Sequence, residues 1–84
     1  MELEKMSNPE LNAYLKDMTF RNILHMRQSE LLRIMDGERA IRVIPQSNQR
    51  RILRRDGVFK QVYLHGGKTL IVTQKAQSLL EEML

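Results

Sequence analysis

The chain has 84 residues, of which 42% are hydrophobic and 29% are charged, a composition that fits one small globular domain. It has no cysteine, which excludes a disulfide framework, a thiolate nucleophile and a zinc finger. Its apolar runs fall far short of the roughly 20 residues that span a membrane, and its acidic, polar start is unlike a secretory signal. The net charge is only +4, but residues 39–68 hold eight basic side chains and one acidic one, a net of +7, so we expect a polyanionic partner there. We therefore predict a single domain over residues 1–84, cytoplasmic, nucleoid-associated if it binds DNA, and with no membrane partner.

The first predicted element is a helix that begins near residue 7. Ser7 and Glu10 have capping-box spacing and Pro9 suits the first turn. An apolar stripe at helical spacing then reaches Met18. Because the register of apolar residues changes near Thr19, a second helix is expected to begin there.

A second helical stripe follows and ends at Gly37, which can form a left-handed cap. Ser29 could restart the helix if it breaks within this stretch. Between Gly37 and Pro45, a β-branched run predicts a strand of about four to six residues. So short a run is equally compatible with a buried helix from Glu38 to Ile44, and the choice between the two stays open.

Residues 47–57 predict a basic helix, with Ser47 as a candidate cap and Gly57 as its end. At about 100° per residue, the arginines lie opposite an apolar face formed by Ile52 and Leu53. The residues expected to contact nucleic acid from this helix are Asn48, Arg50, Arg51, Arg54 and Arg55. The planar fork of arginine matches phosphate oxygens and the edge of guanine, and an asparagine amide matches adenine.

Like charges at i,i+4 spacing distinguish this helix from an ordinary solvated one. Such pairs are mildly destabilising, and no acidic residue within the helix offsets them before Asp56. Nucleic-acid binding is therefore our interpretation. A solvated face, or contact with an acidic patch on a partner protein, stays open as an alternative.

A β-hairpin is predicted next. Two β-rich segments, Val58–Leu64 and Thr69–Thr73, flank a turn that contains two glycines. Lys68, with His65 beside it, is expected to contact a nucleic-acid backbone without reading its sequence. Lys60, on the first strand, is a further candidate contact.

The last predicted element is a helix that begins at Thr73 or Gln74. Its apolar side consists of Ala76, Leu79, Leu80 and Met83. Two segments of this half of the chain match a pattern of recognition helix, glycine, apolar pair, hairpin, Leu-x-Val-Thr and amphipathic helix. They are SNQRRILRRDGVF (47–59) and HGGKTLIVTQKAQSLLEEML (65–84). This half of the chain resembles winged helix-turn-helix DNA-binding regulators.

The resemblance implies a small α+β winged-helix-like domain. The basic helix would enter the major groove and the hairpin would be the wing, with Pro45-Gln46 as the turn after a second helix, ERAIRVI. Duplex DNA is favoured over RNA because, among the aromatic residues, only Tyr63 is positioned to stack on a base. We therefore predict a DNA-binding protein, a transcriptional regulator or a chromatin or replication accessory factor. The alternatives are an RNA-binding protein and an adaptor that docks its arginine face on an acidic protein.

Useful sequence specificity from one short helix requires a homodimer that spans two half-sites. The predicted interface is apolar residues of the first and last helices: Leu11, Tyr14, Leu15, Met18, Leu79, Leu80, Met83 and Leu84. The alternative for both sets is packing within one chain.

Neither an enzyme nor a cofactor is expected. His25 and His65 are forty residues apart, with no carboxylate at the spacing of a metal site or a proton relay. The stretch Gly66-Gly67-Lys68-Thr69 lacks the earlier glycine of a phosphate-binding loop and lies between two strands.

Overall fold

The computed structural model describes residues 7–84, which form five helices and one antiparallel two-stranded hairpin. The helices are α1 (Asn8–Met26), α2 (Gln28–Met35), α3 (Ala40–Val43), α4 (Ser47–Arg55) and α5 (Gln74–Met83); the strands are β1 (Phe59–Leu64) and β2 (Gly67–Val72). The predicted α+β class is confirmed at this level. None of the helices within residues 7–84 combines the length and the apolar character needed to cross a membrane.

One helix, α1, covers the stretch where two helices were predicted. The Ser7 hydroxyl caps it by accepting a first-turn N–H at 3.4 Å, as predicted. The helix then continues through Thr19, whose hydroxyl donates to the Leu15 carbonyl at 2.9 Å, a common arrangement inside helices. The predicted boundary at Thr19 is therefore wrong. The break comes at Arg27, and α2 begins at Gln28 without a side-chain cap.

The β-branched run after Gly37 is a helix. Gly37 ends the preceding helix at φ 109°, as predicted. In the next segment Ala40, Val43 and Ile44 are buried, a spacing of three and four residues that a helix places on one face and a strand does not. The strand interpretation is thus wrong and the helix interpretation is confirmed, although α3 is shorter than the predicted helix.

The hairpin is tighter than predicted. Strands β1 and β2 extend to a two-residue turn, His65-Gly66, in which both residues have positive φ (52° and 77°), as in a type I′ turn. Gly67 and Lys68, predicted in the turn, instead belong to β2, and Lys68 pairs with Tyr63 across the hairpin.

Thr73 joins the hairpin to the helices on both sides of it. Its hydroxyl donates to the Gly57 carbonyl at 2.7 Å and accepts the N–H of Ala76 at 3.3 Å, which makes it the cap of α5. Its own N–H donates to the Val58 carbonyl at 2.9 Å. The predicted start of the last helix is confirmed, and the connection fixes the hairpin against the end of α4.

One hydrophobic core lies between the helices and the hairpin, with contributions from every element. Its buried members are Phe20, Leu24, Leu31, Ile34, Ala40, Val43, Ile44, Leu53, Val58, Phe59, Val72, Ala76 and Leu80. Helix α1 contributes only from its second half, and none of residues 8–19 is buried. The first half of α1 therefore adds no residue to the core.

Candidate nucleic-acid interface

Helix α4 is rotated relative to the orientation expected from its apolar pair. Leu53 is 2% exposed, whereas Ile52 is 36% exposed. Gln49 and Arg50 are half-buried on either side of Leu53. The core-facing line therefore passes through Leu53 and not midway between the two apolar residues, a difference of about 50°. The predicted cap at this helix start is also wrong, because Ser47 is its first helical residue and Gln46 precedes it with no side-chain hydrogen bond.

The rotation gives Arg50 a structural role. Its Nη1 donates to the carbonyl oxygens of Ile44 and Pro45 at 2.8 and 2.7 Å. Carbonyl groups just beyond a helix end have no partner within that helix, so the guanidinium satisfies acceptors in the connection from α3 to α4. Arg50 thereby fixes the corner between the two helices, and part of its hydrogen-bonding capacity is unavailable to a ligand.

Basic residues from three elements converge on one open groove of about 940 Å³ between α3, α4 and the hairpin. Arg51 and Arg54 line it from α4, and Lys68 lines it from β2. Arg39, which the sequence indicated only as part of the basic segment, lines it from the start of α3. No acidic residue of the described chain lines this groove, so we name these four residues the cationic rim.

Acidic residues next to the rim in the sequence are paired with other arginines. Glu38 accepts hydrogen bonds from Arg33, and these bonds, together with the attraction between the two charges, raise the pKa of Arg33. Asp56 accepts from Arg55 at 3.2 Å. Exposed pairs of this kind add little to the stability of the fold, but they leave the charge of the rim uncompensated.

Gln61 holds one of the rim arginines against the hairpin. Its Oε1 accepts from Arg54 Nη1 at 2.8 Å, and Gln61 itself lines the groove. Arg51, in contrast, makes neither a side-chain hydrogen bond nor an ion pair within residues 7–84. The two neighbouring arginines therefore differ, since one is positioned by the hairpin and the other extends from α4 alone.

Three of the predicted contact residues lie outside the groove. Arg55 lines a second depression beside α1, together with Lys16 and Lys75. Asn48 is exposed on α4 but is not part of the groove lining. Lys60 is exposed on β1 and is not part of the groove lining.

The groove also has an apolar part, which we name the apolar floor and which sequence reasoning missed. It consists of Ile41 and Leu64, which are 59% and 53% exposed, and Leu70, which is half-buried and packs on the core. The exposure of Ile41 follows from α3 being a helix, because its neighbours Ala40 and Val43 then take the buried face. The sequence could not predict the exposure of Ile41, because it did not decide whether residues 38–44 form a strand or a helix.

Within residues 7–84, no three histidine or acidic side chains come close enough together to hold a metal ion. The groove offers guanidinium and ammonium groups, which are donors and suit an anion.

No family model, curated protein or solved structure matches the chain. Its function is therefore argued from the geometry of the groove and of α4.

Proposed function

We propose that the protein binds duplex DNA as a transcriptional regulator, in a winged-helix-like arrangement with α4 in the major groove. The observation that carries the proposal is the cationic rim, four basic residues from α4, β2 and the start of α3 that line one groove in which no acidic residue of residues 7–84 takes part. Positive charge concentrated in this way attracts a polyanion, and the phosphate backbone supplies most of the affinity in such complexes.

The order of elements supports DNA in particular. Helices α3 and α4 are separated by a short turn and held at their corner by Arg50, and the hairpin follows α4 directly. The outer face of α4 carries Asn48, Arg51 and Arg55, all exposed. A major groove of about 12 Å admits one helix, and these side chains match base edges there.

The groove then accommodates the phosphate strand beside that helix. Arg54 and Lys68 flank it from the helix side and the hairpin side. Contacts to phosphate position a protein on the duplex without reading sequence. Asn48 and Arg55 are thus left to read bases from the outer face of α4, whereas the cationic rim, which includes Arg51, fixes the register.

A second copy of the chain completes the proposal. One α4 makes few base contacts, and dimers gain specificity by binding two half-sites. The first half of α1 carries exposed apolar residues, Tyr14 (39%), Leu15 (49%) and Met18 (43%). We assign this surface, the α1 stripe, to a homodimer interface.

The test is a fluorescence-anisotropy titration of a labelled duplex at several salt concentrations. Each phosphate contact contributes roughly 0.9 to the slope of log K against log salt. Arg51→Ala and Lys68→Ala should each weaken binding and reduce the slope by about one unit. Lys60→Ala, which removes the same charge from a strand residue outside the groove lining, should have a smaller effect.

Equal effects of all three substitutions would mean that net charge alone drives binding. An unchanged slope in Arg51→Ala and Lys68→Ala would contradict the proposal outright. A duplex RNA of the same sequence serves as the second probe, and tighter binding of RNA than of DNA would also contradict it.

A further inference from the structure

A phosphate strand leaves half of the groove unexplained. The cationic rim suits phosphate oxygens, whereas the apolar floor of Ile41, Leu64 and Leu70 gains nothing from a strongly hydrated backbone. Two of these apolar residues are more than half exposed. An exposed apolar patch rimmed by polar groups is typical of a ligand-binding surface.

We propose that the groove binds a small amphipathic organic anion. The carboxylate or phosphate head of this ligand pairs with the cationic rim, and its hydrocarbon body lies on the apolar floor. By occupying the rim, the ligand displaces the DNA phosphate strand. The displacement rests on the proposed function, whereas binding to the free protein does not.

The arrangement of charged and apolar groups fits such a ligand. Arg54 is held at the hairpin side by Gln61, and Lys68 lies on β2 two residues before the apolar Leu70, on the same face of the strand. Arginine binds a carboxylate through two parallel hydrogen bonds. A ligand whose head pairs with these donors can extend its body over the floor while its charge stays hydrogen-bonded.

The dimensions of the groove are also suitable. Its volume of about 940 Å³ lies within the range of roughly 300–1,000 Å³ that small-molecule sites occupy. Because removal of one methylene group from water strengthens binding by up to about fourfold, affinity should rise along the series hexanoate, octanoate and decanoate.

The first experiment titrates the protein without DNA, using decanoate below its micelle concentration and following binding by calorimetry. Saturable binding is expected, with 1-decanol and inorganic phosphate at least about tenfold weaker, because each engages only one half of the groove. Leu64→Ser should weaken decanoate binding by about fivefold or more. Leu84→Ser, which alters an exposed leucine at the end of α5, is the matched control and should leave it unchanged.

Several results would overturn the inference. Equal affinity for decanoate and inorganic phosphate would show a plain anion site, with no part for the apolar floor. Equal losses in Leu64→Ser and Leu84→Ser would show nonspecific adsorption of a hydrocarbon chain. A second protein variant, Ile41→Ser, repeats the test from α3 in case Leu64→Ser disturbs the hairpin.

The second experiment adds decanoate to the duplex titration. The apparent Kd for the duplex should rise with decanoate in the wild type and stay constant in Leu64→Ser. If decanoate binds but the duplex affinity does not change, the displacement is overturned. If decanoate binds and no duplex does, the proposed function fails while the ligand site stands; if only the duplex binds, the ligand inference alone fails.

Discussion

The four arginines of α4 occupy four different environments. Arg50 bonds to two backbone carbonyls, Arg54 to Gln61, and Arg55 to Asp56, while Arg51 has no ion-pair partner in the described chain. Because these bonds must be kept or exchanged when a ligand binds, equal formal charges are not equally available. Arg51 is the residue whose whole charge is open to a partner.

Arg50→Ala should destabilise the fold by about 1–2 kcal/mol. This value is low for hydrogen bonds from a charged donor, because the side chain is only half-buried. The loss arises from the carbonyl groups of Ile44 and Pro45, which lose their donor. Urea denaturation measures the change in the free energy of unfolding. Arg51→Ala is the matched control, expected within about 0.5 kcal/mol of the wild type; equal stability of the two variants would show that Arg50 does not hold the corner.

At the scale of elements, two residues fix the hairpin relative to α4. Gly57 ends the helix at φ 86°, and the N–H of Val58 donates back to the Leu53 carbonyl at 2.9 Å. Thr73 then closes the hairpin from the other side by bonding to Gly57. The width of the groove between α4 and β2 depends on both connections.

Gly57→Ala should cost about 1–2 kcal/mol of unfolding free energy, because an L side chain is strained at this positive φ. Crowding is not the cause, since a Cβ would meet Phe20 Cε1 at an ordinary 3.8 Å. Gly67→Ala is the control within the same hairpin, because Gly67 has no positive φ and equally open surroundings. Thermal unfolding of both variants should lower Tm only for Gly57→Ala, and a similar drop in both would contradict the backbone explanation.

Thr73→Val should destabilise by about 1–2 kcal/mol, because it removes the cap of α5 and leaves the Gly57 carbonyl without its donor. Valine keeps the size and β-branching of threonine, so the change isolates the hydroxyl. Thr73→Ser restores the hydroxyl and should recover most of the stability in urea denaturation. Failure of serine to recover it would assign the effect to side-chain packing instead.

Element boundaries were predictable where a local cause sets them. Gly37, Gly57 and Thr73 end or begin helices by their own backbone or side-chain chemistry. Thr19 failed as a boundary because the apolar register changes there without a break in the helix: burial within α1 begins at Phe20, over whose ring Lys75 of α5 lies. The predicted orientation of α4 was wrong for a similar reason. The surrounding elements decide that Leu53 is buried and Ile52 is exposed.

Over the whole molecule, the charge distribution indicated the basic segment that lines the groove, whereas three of the individually predicted contact residues lie outside the lining. Four of the eight basic residues in residues 39–68 form the cationic rim, including Arg39, which the start of α3 brings beside α4. The position of the cationic rim could not be predicted from the sequence, because the sequence did not decide between strand and helix for the segment between Gly37 and Pro45. The apolar floor was missed for the same reason.

The α1 stripe is an exposed apolar surface on a half-helix that adds no residue to the core. Helices shorter than about 12–15 residues are marginal in water, yet residues 8–19 form the first half of α1 with no buried residue. Cover from a second copy would stabilise this half. It would also set two α4 helices at a fixed separation, as binding to half-sites about one helical turn apart requires.

Substitution of the α1 stripe should therefore separate assembly from folding. The wild type should sediment as a dimer. Leu15→Glu combined with Met18→Glu places charges on the exposed apolar positions of the interface, so this variant should sediment as a monomer. Its urea midpoint should change little, because the substituted positions are exposed. Ala13→Glu with Lys16→Glu, on the opposite side of the helix, is the control and should leave the dimer intact. Affinity for a palindromic duplex should fall in the monomeric variant, while affinity for one half-site should not, because the cationic rim is unchanged. A monomeric wild type, or equal loss of both affinities, would remove the dimer from the proposed function and leave DNA binding to a single α4.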